Sequence, residues 1–324
     1  MSAALVTGAA GFIGSHLVET LVEEGVRVRA LCRYTSRTEL GNLRDLPADV
    51  LAEVDVRFGD LGDADFVREA VADVDSVYHL GASISVAYSY VAPREVVQTN
   101  VLGTLNVLTA ARDARTSRVV QMSSSEVYGT AQYTPIDEAH PLHAQSPYAA
   151  SKVGADKLAE TFHLSFELPV VIARPFNTYG PRQSQRAVIP TIVAQALAGG
   201  KVAIGDVTPT RDFVYVADTV EALVRLGSSS EHAGETFNIS TGRDVSVSDI
   251  VDLVGELLGR KLEVVTSEKR LRPPQSEVFQ LLGSADRLRQ AYGWEPTVEL
   301  RDGVRAVIDW ISARPEIAVE PRAV

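Results

Sequence analysis

Residues 3–25 read AALVT, GAAGFIG and SHLVETLVEEG in succession: an apolar run, three glycines at fixed spacing, then apolar residues recurring at helical intervals. A strand that turns through glycines straight into a helix aims the helix's first N–H groups over the turn, which is how such units hold a pyrophosphate. The spacing is GxxGxxG and not the GxGxxG of the dinucleotide fingerprint, so the flanking strand and helix carry the assignment of Gly8, Gly11, Phe12, Ile13 and Gly14 to a cofactor site. An ordinary strand-to-helix turn is the plainer alternative.

The rhythm continues beyond this unit. VRVRALC, VDVRFGD, SVYHLGA, RVVQMSS and PVVIARP read as strands, and DFVREAVADV, TNVLGTLNVLTAARDA and SPYAASKVGADKLAETFHLSF as helices, the last with Ser146 as N-cap and Pro147 in the first turn. Such alternation predicts an α/β fold, a Rossmann-type doubly wound parallel sheet over residues 1–173. Past Arg174 the pattern loosens into RPFNTYGPRQSQR and shorter elements. This predicts a smaller, interleaved C-terminal substrate-binding domain from residues 174–211 and 243–312, with about 212–242 returning to the first domain and 313–324 as a tail.

With 31 basic against 42 acidic residues, a formal charge of −11, the chain lacks the basic surface that non-specific nucleic-acid binding requires. Cys32 is its single cysteine, so no internal disulfide forms, and no His or Cys spacing suggests a metal site. The sequence shows neither a signal peptide nor an apolar run long enough for a membrane span, and a reducing cytoplasm is the expected location.

At the end of the second strand an acidic residue would bond the adenine ribose of NAD, whereas arginine suits the 2′-phosphate of NADP. Cys32 stands there, with Arg33 and Arg37 close by, so the cofactor is NAD or NADP with a lean to NADP; the arginines as a solvated loop are the alternative. Asp60 and Leu61, in FGDL after the next strand, are candidates to contact adenine.

Tyr148 and Lys152 in SPYAASK lie four apart and share a helix face. A phenol titrates near ~10, so a tyrosine acting as a base at neutral pH needs an adjacent cation. Lys152 supplies one. A plain solvated helix face is the alternative, against which stand the upstream glycine loop and the hydroxyl-rich MSSSEVYG at the preceding strand's end.

GAAGFIG, HLGA, TNVLGTLNVL, SSSEVYG, YAASK, RPFNTYGPR and RDFVYVAD together resemble, in order and spacing over residues 3–310, the extended short-chain dehydrogenase/reductase family of nucleotide-sugar epimerases and dehydratases. Within it the chain is most similar to the nucleotide-hexosamine 4,6-dehydratases, such as those acting on UDP-N-acetylglucosamine. The resemblance implies a tightly held, recycled NAD(P) and a nucleotide-diphosphate sugar substrate. It also implies a homodimer built on the helices of TNVLGTLNVLTAA and YAASKVGADKLAE.

Aligned on VYG, the resemblance puts the catalytic hydroxyl at Ser124, beside Tyr148 and Lys152, and leaves Ser123 structural. Where dTDP-glucose 4,6-dehydratases carry Asp-Glu, this chain has Ser125 and Glu126. It keeps the base for C5 and lacks the acid for the 6-hydroxyl, a pattern also similar to GDP-mannose 4,6-dehydratases and UDP-glucuronate decarboxylases. Simple 4-epimerases have no use for a base at C5, so Glu126 favours dehydration; a turn carboxylate paired with an arginine is the alternative. The resemblance further implies substrate contacts from Asn177, Arg182, Arg211 and Arg272, with Ser83 toward the cofactor and Tyr88, Ser125 and Tyr179 toward the sugar. A 4-epimerase or glucuronate decarboxylase is the nearest rival activity, and a non-catalytic NAD(P)-binding regulator the remote one.

Overall fold

In the first strand the side chains alternate between two cores. Ala4 and Val6 pack with Leu17, Val18, Leu223 and Leu226 on one side, while Leu5 packs with Val67, Leu108 and Phe162 on the other. This two-sided burial is what a parallel sheet covered by helices on both faces demands. The computed structural model of the chain describes residues 2–268 and 273–314.

The strands are β1 (Ala3–Thr7), β2 (Arg27–Arg33), β3 (Asp55–Gly59), β4 (Ser76–His79), β5 (Arg118–Met122), β6 (Val170–Pro175), β7 (Asn177–Tyr179), β8 (Lys201–Ile204), β9 (Thr210–Tyr215), β10 (Thr236–Ile239), β11 (Asp244–Ser246), β12 (Glu263–Thr266) and β13 (Gln280–Leu281). The helices are α1 (Phe12–Glu23), α2 (Ala48–Ala52), α3 (Ala64–Val71), α4 (Val86–Val91), α5 (Pro93–Val97), α6 (Gly103–Ala114), α7 (Pro147–Phe166), α8 (Val188–Gly199), α9 (Val216–Gly227), α10 (Val247–Leu257), α11 (Asp286–Tyr292) and α12 (Leu300–Ser312). Ser146 caps α7 by accepting from the Ala149 N–H at 3.1 Å, with Pro147 opening the helix as expected.

Seven strands form one all-parallel sheet in the order β10-β6-β5-β4-β1-β2-β3. The order reverses between β1 and β4, and ligands of such sheets sit at the carboxyl ends beside that switch point. Gly8, Asp60, Gly81, the SSSE stretch and Asn177 all follow strand ends on that one edge.

Residues after 175 build a second core from α8, α10 and α12 around Ile189, Ile192, Phe213, Val254 and Val307. β9 belongs here, flanked by β11 and β13 with β7 also paired to it. The expected return to the sheet at 212 is therefore corrected: residues 212–215 continue the strand Thr210–Tyr215, whose backbone partners lie in this second sheet, and α9 is the first element to return.

Candidate active site

Gly8 has φ +68, and a Cβ there would lie 2.9 Å from Gly81 Cα; on Gly14 it would lie 2.3 Å from Gly8 O. Both positions exclude any side chain, so the backbone turns tightly and presents bare N–H groups. α1 starts after Gly11 with no side-chain cap, leaving its first-turn donors to an outside acceptor. These residues fit the pyrophosphate of a dinucleotide.

A buried polar relay braces this loop. The Gly81 N–H donates to Thr7 Oγ1 at 2.9 Å, which lies 2.7 Å from His79 Nδ1; His79 Nε2 lies 3.0 Å from Thr104 Oγ1, which donates to Asn100 O at 2.6 Å. Because Thr104 already spends its proton on Asn100, it accepts from Nε2–H, and Nδ1 accepts from Thr7. Burial, with the nearby Lys152 charge, pulls the imidazole down to about 3, so His79 is neutral. Asn100 sits in a π turn, Gln98–Leu102, a local widening often found at functional sites. Its side chain accepts from Ser83 N at 2.7 Å and donates to Ser83 O at 3.0 Å and to Ser151 Oγ at 2.9 Å. The sequence signal was one asparagine in an apolar helical pattern, and its role was not read from it.

On the next strands, Ser124 ends the extended chain after β5 and its Oγ accepts from Glu126 N at 3.2 Å, opening a 3-10 turn over Ser125–Val127. Ser125 is buried and Glu126 half-buried. Tyr148 and Lys152 project from the first turns of α7, and Lys152 Nζ donates to Met122 O at 2.8 Å. Burial pushes the Tyr148 phenol up to about 12; the adjacent Ser124 hydroxyl works against that shift, while Glu126 and Asp156 add to it. Burial lowers Lys152 to about 8, opposed by Asp156. Ser124, Glu126, Tyr148 and Lys152 thus form one cluster at the carboxyl edge.

The profile of the GDP-mannose 4,6 dehydratase family matches residues 5–307. The chain belongs to that family. It is 35% identical to a dTDP-glucose 4,6-dehydratase of Streptomyces griseus, over 94% of this chain and 93% of that one. It is 32% identical to a putative UDP-glucose 4-epimerase of Methanocaldococcus jannaschii, over 95% of this chain and 97% of the other. The crystal structure of DesIV, a dTDP-glucose 4,6-dehydratase from Streptomyces venezuelae with NAD bound, superimposes with a TM-score of 0.83 at 30% identity, covering 97% of this chain and 98% of that one. This dehydratase-family chain is accordingly an enzyme of the NAD-dependent epimerase/dehydratase group.

Several expected contacts of this family member fall elsewhere. Arg182 was expected at the nucleotide, but its guanidinium lies 2.7 Å from Glu19 on α1 and 3.4 Å from Asp45 O, so it ties the second core to the sheet. Tyr179 was expected at the sugar; it is buried against α12, donating to Leu300 O at 3.3 Å, where a Cβ on Gly303 would collide with it. The Tyr88 hydroxyl is turned to Glu95 at 2.5 Å on an exposed helix face.

Arg33 is 72% exposed, 3.7 Å from Glu95 and 4.0 Å from Asp60. Cys32 is buried in the core, its thiol pushed up to about 11 by burial. Asp60 also accepts from Gly62 N, and Leu61 O accepts from Asn106 at 2.8 Å. Arg211 is buried on β9 with Glu277 at 3.2 Å. Asn177 Oδ1 is buried without a hydrogen-bond partner among the described residues. Arg272 lies outside the described residues. No described group of His, Cys, Asp or Glu is arranged to hold a metal, and no described helix is long and apolar enough to cross a membrane.

Proposed function

We propose that the chain is an NAD(P)-dependent nucleotide-sugar 4,6-dehydratase, converting a nucleoside-diphosphate hexose or N-acetylhexosamine to the 4-keto-6-deoxy sugar. The observation that carries this is Glu126, set by the 3-10 turn two residues after Ser124 and near enough to Tyr148 for its charge to act on the phenol. When bound, NAD(P) supplies hydride acceptance at the sugar C4, hydride return at C6 and a cationic ring beside the phenol. Tyr148 takes the 4-hydroxyl proton while Ser124 holds that oxygen, and Lys152 stabilises the phenolate.

Once C4 is a ketone, Glu126 removes the acidified C5 proton. Ser125 replaces the aspartate of dTDP-glucose 4,6-dehydratases, and its burial leaves Glu126 as the proton source for the departing 6-hydroxyl. The proton taken from C5 leaves within the water; Glu126, reprotonated from solvent, then returns a proton to C5 as C6 is reduced, and Tyr148 releases the 4-hydroxyl proton to solvent, so the cycle balances with one carboxylate. The buried Arg211 can meet a diphosphate and the unpartnered Asn177 Oδ1 can accept from a hydroxyl of the substrate, which together support a nucleotide-sugar site between β7, β9 and the sheet edge. On this reading the second core binds the substrate and the first binds the cofactor.

Glu95 and Asp60 beside Arg33 oppose the charge of a 2′-phosphate, and the DesIV structure holds NAD, so NAD is the expected form. Val97, Leu102 and Leu164, 44%, 50% and 81% exposed on the α5–α7 side, support a homodimer through these helices. Sedimentation at the mass of a monomer would remove that assignment.

The test is a panel of UDP-, GDP- and dTDP-hexoses scanned by mass spectrometry for loss of one water, repeated with substrate deuterated at C4. A dehydratase carries the label to C6. Label kept at C4 with no water lost would make the enzyme a 4-epimerase, as the Methanocaldococcus relative is named.

A further inference from the structure

Behind Lys152, one turn further along α7, lies Asp156, fully buried and joined to the buried Arg174 of β6. Arg174 gives Asp156 Oδ2 both of its bonds, from Nε at 3.0 Å and Nη2 at 2.9 Å, and Nη1 donates to Tyr128 Oη at 3.0 Å. Tyr128 in turn donates to Asn238 on β10 at 2.7 Å. Oδ1 of Asp156 has no hydrogen bond of ordinary length, with the Ser123 hydroxyl beside it at looser range. The carboxylate is thus half used by the arginine, and Tyr148, Lys152 and Asp156 follow one another at i, i+4 and i+8 along one helix face.

A buried ion pair gains little stability over well-packed apolar residues, so its placement beside the site calls for another reason. We propose that Asp156 is a positioning residue for the reaction: through space, one helical turn away, its carboxylate keeps the buried Lys152 protonated, and Arg174 anchors that carboxylate without consuming its charge. The inference rests on the role given to Lys152 above. Asp156 touches neither the lysine nitrogen, which bonds Met122 O, nor the hydroxyl of Tyr148.

The ionisable groups nearest this pair are Tyr148 on the helix itself, His79 at the end of β4, Glu126 and Tyr128 at the 3-10 turn, and Arg174 on β6; Lys157, Glu160 and His163 lie further along α7, and Arg94, Glu95, Arg112 and Asp113 on the adjoining α5 and α6. His79 is neutral across the working range, and Glu126 acts on Tyr148. The direction of the lysine's shift agrees with the geometry: burial lowers it, and Asp156 is the charge that works the other way.

The chain has five lysines, so protein carrying ¹³Cε-lysine gives a spectrum simple enough to titrate, with Lys152 assigned through Lys152→Met. Asp156→Asn alone strands the Arg174 charge and risks unfolding, so the decisive variant is Asp156→Asn with Arg174→Met, its fold checked by circular dichroism. Its Lys152 midpoint is expected to fall by about one pH unit or more. Arg174→Met alone is expected to raise it, because the carboxylate then answers only to the lysine. In steady state the double variant loses kcat at least about tenfold at pH 8, with KM within threefold, and its alkaline limb moves down with the lysine midpoint.

An unchanged midpoint in the folded double variant overturns the inference. Because the titration needs no turnover, it is read even if the proposed reaction is wrong. A dehydratase test that fails beside a shifted midpoint would count against the function alone.

Discussion

At the site proposed for the cofactor the groups are backbone: a tight turn at Gly8, bare N–H groups at the start of α1, and Gly81 held by Thr7. Among the residues expected at the substrate they are long side chains from separate elements, and the sequence could not say which way each would turn. Arg182 went to Glu19, Arg211 keeps Glu277 beside it, and Tyr179 went into the second core. The contrast teaches that a motif is a reliable guide to geometry where its residues act through the main chain, and a weaker one where they act through several rotatable bonds.

The largest effect tests the ground the two sides share. Tyr148→Phe is expected to lower kcat by roughly 10²–10⁴ while leaving cofactor affinity within a few-fold, measured by turnover and isothermal titration. A variant that kept most of its activity would take the phenol out of the chemistry and leave only the binding comparison. Gly14→Ala tests the backbone side next. Its Cβ would sit 2.3 Å from Gly8 O, so the turn must open; NAD affinity should fall about tenfold or more, with overpacking costing about 1–3 kcal/mol in chemical denaturation.

Arg182→Ala gives the smallest effect and the sharpest contrast. Removing its contact with Glu19 should cost about 1 kcal/mol in urea unfolding and leave KM for the nucleotide sugar unchanged, whereas Arg211→Ala should raise KM. A tenfold rise in KM from Arg182→Ala would return that residue to the nucleotide site and dissolve the difference between the two sides.

pH acts on the shared ground as well. Lys152 sits at about 8 in the fold, below its ordinary value, so the folded state carries a cost for the buried charge below about pH 8. That cost fades as pH rises toward the unfolded value near ~10.4, so this group's share of stability increases over that window. Activity changes in the opposite sense, since the phenolate loses its cation.

Much of the fold was legible because its signals are local. Each strand from AALVT to PVVIARP is an apolar run of strand length, and each intervening helix has its own periodicity. The end of the sheet domain was less legible: RDFVYVAD has the same apolar character in either sheet, and only hydrogen-bond partners place β9 in the second one. In the site, Tyr148 and Lys152 were readable from helical spacing and Ser124 and Glu126 from the family resemblance, and α7 and the β5 edge bring them together. Asn100 and Asp156 were not, because each is one polar letter in a helical pattern whose partners lie 51 and 18 residues away.

By itself the sequence determined the parallel α/β sheet, the glycine turn and the helix that carries Tyr148 and Lys152, because turns, caps and periodicity are settled within a few residues. Only the tertiary structure decided which carboxylate meets which arginine, why Cys32 points into the core, and what stands behind Lys152. Those outcomes depend on burial and on charges brought together across the chain, and a buried charge takes whichever partner the packing places within reach.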